Sequence, residues 1–108
     1  MKKAVWISFD LGVKGDYESL WAWLDEQHAK ECVGNLAFIN YSYKSDLIKS
    51  LRDELKKTIE VDKRTRIYAI WRDEETKKVK GRFLFGGRRV SPWAGYGAEE
   101  ESLEMDES

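Results

Sequence analysis

At 108 residues the chain has room for one domain and one core, not for two. Hydrophobic residues make up 42%, with five Trp, five Tyr and four Phe, which excludes a disordered chain, and no apolar run approaches the roughly 20 residues of a bilayer span. The net charge of −1 is uneven: residues 98–108, AEEESLEMDES, hold six acidic groups and no basic one, leaving 19 basic against 14 acidic over residues 1–97, a net of +5.

The start MKKAVW lacks an h-region and a small-residue cleavage site, so no signal peptide is expected. Cys32 stands alone and has no internal disulfide partner, which suits a reducing compartment and a cytoplasmic location. Residues 4–10, AVWISFD, predict the first strand, with Gly12 and Gly15 marking the turn behind it. That strand ends on a carboxylate. Asp10 either accepts backbone N–H groups of the Leu11–Gly12 turn or holds something at the edge of the sheet.

DYESLWAWLDEQHAK predicts a helix capped by Asp16, with Tyr17, Leu20, Trp21 and Leu24 in one apolar stripe and Trp23 off it. In ECVGNLAFINYSY, Gly34-Asn35 divides a short extended piece from a longer one over 36–43, compatible with a hairpin or with one bulged strand. Ser45 or Asp46 caps a second helix, SDLIKSLRDELKKTI, whose stripe is Leu47, Ile48, Leu51, Leu55 and Ile59. RIYAIW (66–71) and VKGRFLFGG (79–87) predict two further strands around the loop DEETKK. SPWAGYG, rich in glycine and aromatic rings, is expected to lie across the surface or reach a neighbour. Residues 98–108 are expected to be a disordered acidic tail after a single domain over 1–97.

Strand, helix, one or two strands, helix, strand, strand is an α+β order. It predicts a ferredoxin-like split βαβ fold: an antiparallel sheet, two helices on one face and an extra C-terminal strand. The uncovered sheet face needs a partner, and in a chain this small that predicts a homodimer.

The strand ending in SFDL, the helix, AKECVGNLAFINYSY, SDLIKSLRDELKKTI and RIYAIW together resemble the small CRISPR-associated dimer of spacer acquisition. They are also similar to its relatives, the virulence-associated protein D and toxin–antitoxin ribonucleases. The resemblance spans residues 4–72. It implies a small dimeric nucleic-acid-binding protein of RNA or DNA, or a metal-dependent endonuclease in which Asp10 is the catalytic carboxylate near the dimer axis. Two copies of Asp10 would there hold Mg²⁺ or Mn²⁺, completed by substrate phosphate, because a lone carboxylate holds such an ion poorly. No organic cofactor is implied.

The remaining candidates are read from the residues. His28 is the only histidine, which excludes a multi-histidine metal site. FGGRR follows a strand but opens no helix, so it is not a phosphate loop. Alternation in KVKGRFLFGGRR sets Lys78, Lys80 and Arg82 on one strand face and Val79, Gly81, Phe83 and Phe85 on the other. Arg66, Tyr68 and Arg72 share a parity that would extend the basic stripe, and Arg88 and Arg89 follow. These cations either contact phosphates or guard an edge strand. The competing function is a non-catalytic protein-interaction module, such as an antitoxin, a phage-encoded inhibitor or a regulatory dimer. In it Trp23, Trp93 and Tyr96 are the partner contacts.

Overall fold

The computed structural model describes residues 1–97; the expected acidic tail over 98–108 lies outside the described residues. Seven elements follow in order: β1 (Lys2–Asp10), α1 (Tyr17–Glu26), β2 (Lys30–Val33), β3 (Leu36–Ser42), α2 (Leu47–Thr58), β4 (Arg66–Arg72) and β5 (Val79–Phe85). All strand pairs are antiparallel, in the spatial order β2-β3-β1-β4-β5. This is the ferredoxin-like split βαβ arrangement with β5 added outside β4. Among the described residues no helix is long and apolar enough to cross a membrane.

Gly34-Asn35 turns a hairpin between β2 and β3 rather than bulging a single strand. Gly34 adopts φ 54°, a left-handed backbone that glycine enters without a Cβ penalty. Alternation decides the core. Val5, Ile7 and Phe9 of β1, Ala37, Ile39 and Tyr41 of β3, and Ile67 and Ala69 of β4 point to one face and are buried. Leu20, Trp23 and Leu24 of α1 and Leu47, Leu51 and Leu55 of α2 cover them. Among the described residues no helix lies on the opposite face.

The rotation of α1 differs from the expected stripe. Trp23 is 3% exposed, whereas Trp21 is 59% exposed. Leu20 and Leu24 satisfy helical spacing with either tryptophan, so periodicity leaves the choice open. Tertiary hydrogen bonding makes it: Trp23 Nε1 donates to Glu54 Oε2 at 2.6 Å, and Tyr41 Oη donates to Glu54 Oε1 at 2.7 Å. Trp23 is therefore a core residue and offers no surface to a partner, correcting its reading as a contact anchor.

Asp16 and Asp46 cap the two helices through the N–H groups of Ser19 and Lys49. Asp16 also accepts the Glu60 N–H at 3.0 Å, tying the start of α1 to the chain leaving α2. The Glu60 and Ser19 donors hold the Asp16 carboxyl below its ordinary value of 3.8. A depressed folded pKa stabilises the fold above the unfolded value and loses that contribution as pH falls through the folded one. Asp16→Asn should accordingly be less stable than wild type at pH 6, and the gap between their thermal midpoints should shrink as pH falls below the ordinary 3.8 and through the lower folded value. A gap that persists in acid would mean that shape, not charge, makes the cap.

Candidate nucleic-acid interface

The uncovered face is built in rows that the strand registers define. One row reads Phe38, Trp6, Ile70 and Gly81 across β3, β1, β4 and β5; the next reads Leu36, Ser8, Tyr68 and Phe83. A third begins with Asp10 opposite Arg66. Adjacent strands lie about 4.8 Å apart, so each row crosses about 14 Å. Every large side chain in the first two rows is half-buried or, as for Trp6 at 38%, exposed.

Four rings on this face form two contacts. Trp6 meets Phe38 at 5.0 Å between centroids, tilted by 55°, and Tyr68 meets Phe83 edge-on at 4.8 Å and 70°. Trp6 and Tyr68 occupy successive rows on neighbouring strands, so the four rings make a diagonal band from β3 to β5. Gly81 makes room for it: a Cβ there would lie 2.3 Å from Tyr68 Oη.

A bulge places the last ring. Phe83 is opposite Tyr68 but Phe85 is opposite Ile67, leaving Leu84 as an extra residue that drops into the core at 3% exposure. The Leu84 carbonyl accepts from Arg52 Nε at 3.1 Å, which fastens the bulge to α2. Phe83 and Phe85, expected on one face, are thereby separated. Phe83 joins the open face and Phe85 packs against the core.

The expected basic stripe is not continuous. Lys80 and Arg82 lie opposite Trp71 and Ala69, on the helix side of edge strand β5, whereas Arg66, Tyr68 and Arg72 belong to the open face. Lys78 lies in the loop before β5. Arg72 pairs with Glu74 at 3.7 Å and Lys80 with Asp73 at 3.8 Å. Arg72 and Lys80 sit at the far end of the β4–β5 hairpin, about 16–20 Å along the strand from Arg66, and Arg82 about 10 Å from it. Their cations suit the guarding of an edge.

Arg66, Arg88 and Arg89 are the ones brought together. They line one recess of about 480 Å³ with residues 90–93, and Arg66 also borders a neighbouring recess of about 420 Å³ beside Tyr68 and Phe83. The Arg88 guanidinium lies 5.8 Å from the Tyr68 ring centre and 5.6 Å from that of Phe83, within cation–π range. Trp93, 72% exposed, lies at the recess, and Tyr96 is 87% exposed beyond it.

Asp10 lies opposite Arg66 on β1, at the same end of the face. Its Oδ1 accepts the Gly12 N–H at 3.0 Å and its Oδ2 accepts Arg66 Nη2 at 3.3 Å. Gly12 turns with φ 78°, a conformation that brings its N–H back to the carboxylate and suits glycine. The Gly12 bond is the main cause that holds the Asp10 carboxyl below its ordinary 3.8; burial, the next largest effect, opposes it, and the Arg66 guanidinium and lastly Arg89 add to the lowering. Each oxygen already has a donor, and among the described residues no three His, Cys, Asp or Glu side chains gather as metal ligands. Within one chain a single carboxylate that already accepts from Gly12 and Arg66 does not make a Mg²⁺ or Mn²⁺ site.

Sequence reasoning missed Trp6 and Phe38 as site residues. The signal was present: in AVWISFD, Trp6, Ser8 and Asp10 alternate against Val5, Ile7 and Phe9, so a tryptophan shares its face with two polar residues. The arrangement offers ring faces beside guanidinium groups. No family model, no curated protein and no solved structure matches the chain, so the functional reading rests on this face.

Proposed function

We propose that this protein binds single-stranded nucleic acid across the open face of its sheet. The observation that carries the reading is the four-ring band of Phe38, Trp6, Tyr68 and Phe83 ending beside Arg66, Arg88 and Arg89. Unpaired bases expose faces that stack on such rings, whereas a duplex hides them. A band of this width takes about two or three bases, as other base-stacking sheets do. The arginines supply the phosphate attraction that stacking lacks. Asp10 accepts from Gly12 and Arg66, which sets it in the frame of the arginine cluster, and the reading is a binding function.

Titration of a labelled single strand and the matching duplex tests this. The single strand should bind more tightly, and its log affinity should fall with log salt at a slope of about −2, the value for three phosphate contacts. Raising salt from about 50 to 200 mM should thus weaken binding about 15-fold. Preference for the duplex, or a flat salt response, would reject the reading.

A second reading has its own support. Leu36 and Ile70 make the centre of the same face apolar, which suits closure against a second copy as a homodimer or protein-interaction module. Sedimentation with and without the single strand separates the two. A dimer closed through this face dissociates when the strand binds, and a monomer gains only the mass of the strand.

A further inference from the structure

The aromatic band explains base stacking but not why three guanidinium groups converge at one end of it. Arg66 lies one row beyond the Tyr68–Phe83 pair, about 7 Å along the strand, so one nucleotide reaches both a ring and the recess. Arg88 bridges the two regions by lying over both rings. Among the described residues no carboxylate lines the three-arginine recess. The nearest one, Asp10, accepts from Arg66 Nη2 and is close enough to Arg89 to be influenced by its charge.

The local balance is three positive charges against one negative, a surplus of two. An internal phosphodiester, with a single charge, would leave one of them uncompensated. A terminal phosphate carries about −1.5 to −2 at neutral pH and three strong acceptor oxygens. Those oxygens match guanidinium forks, which bind such groups in pairs of parallel hydrogen bonds. Arg66 donates Nη1 to the Gly87 carbonyl at 3.5 Å and Nη2 to Asp10, bonds that fix its guanidinium at the recess, while its Nε is buried and has no hydrogen-bond partner among the described residues. The Ser91 side chain and the exposed Trp93 complete the wall with a hydroxyl and a ring.

The geometry points to a subsite for the terminal phosphate of the bound single strand, made by Arg66, Arg88 and Arg89. It rests on the open-face reading and adds an end requirement that stacking alone does not impose. The terminal base then lies beside the Tyr68–Phe83 pair, next to the Arg88 guanidinium that covers it, and the strand runs from there towards Trp6 and Phe38.

The test uses one single-stranded sequence of about eight nucleotides in three forms: 5′-phosphorylated, 3′-phosphorylated and hydroxyl at both ends. One phosphorylated form should bind about tenfold tighter than the hydroxyl form, and which form it is gives the strand polarity. The double variant Arg88→Ala/Arg89→Ala, at two exposed positions, should shrink that ratio to about twofold or less. Equal affinity for all three forms, or a preference that survives in the double variant, overturns the subsite and leaves the open-face reading standing. If no oligonucleotide binds, the open-face reading falls. The subsite is then decided by titrating nucleoside 5′- and 3′-monophosphates against the nucleoside. Phosphate-dependent binding that the double variant abolishes keeps the subsite, and no binding removes it as well.

Discussion

Replacing Trp6 and Phe38 together with alanine should weaken binding of a single-stranded oligonucleotide by about one to two orders of magnitude while leaving the protein folded. Each base stacked on an aromatic side chain contributes about 1–3 kcal/mol, and this pair offers the half of the band farther from the arginines. The fold should tolerate the change. Trp6 is 38% exposed and Phe38 half-buried on a face that no helix covers, so truncation opens no core cavity. Loss of their mutual contact removes about 0.5–1.5 kcal/mol. The salt slope should stay near its wild-type value, because the arginines remain. Fluorescence polarisation for affinity and circular dichroism for folding are the measurements. Wild-type affinity in the folded double variant would remove the aromatic band from the site, and a collapsed salt slope would mean that the change had disturbed the arginines instead.

The second large effect is on stability. Glu54→Ala should lower the thermal midpoint by on the order of 15 °C, from a loss of about 3 kcal/mol in a domain of this size. The carboxylate receives two short hydrogen bonds, from Trp23 Nε1 at 2.6 Å and Tyr41 Oη at 2.7 Å. Both donors belong to side chains 3% exposed, so removing their acceptor strands two buried polar groups at once. Glu54 itself is half-buried, and water entering the gap keeps the loss below that of a fully dry site. Glu54→Gln keeps one acceptor oxygen and should lose about half as much. Burial first, and then the bond to Glu54, raise the Tyr41 phenol well above its ordinary 10. A raised folded pKa means the contribution is complete below pH 10 and declines only as pH climbs towards the folded value. The difference between wild type and Glu54→Ala should therefore be constant from pH 6 to 9. A change in midpoint of only a few degrees would mean that α1 is oriented by apolar packing alone.

Much of the architecture was legible because its causes are local. Asp16 and Asp46 cap the helices they precede, and the order of the elements leads directly to a ferredoxin-like sheet. The turn reading of Asp10 was also available, since the Gly12 N–H lies two residues away. The pairing of Asp10 with Arg66 was not, because 56 residues separate them and only the β1–β4 register sets them opposite. The choice between Trp21 and Trp23 was hidden for a similar reason. Both obey helical spacing with Leu20 and Leu24, and the acceptor that selects Trp23 comes from another helix. The basic stripe failed on register: the β4–β5 pairing sets Lys80 and Arg82 opposite Trp71 and Ala69 on the helix side, and the bulge at Leu84 separately parts Phe85 from Phe83.

By itself the sequence determined the secondary structure, the faces of the central strands and the +5 charge of residues 1–97, since these depend on neighbours within a few positions. Only the tertiary structure decided which sheet face stayed open and which arginines converge. Four rings from four strands become one band, and Arg66 meets Arg88 and Arg89, because registers and a single bulge align positions far apart in the chain. Register is a collective outcome of burying one face of the whole sheet, and no local window of sequence contains it.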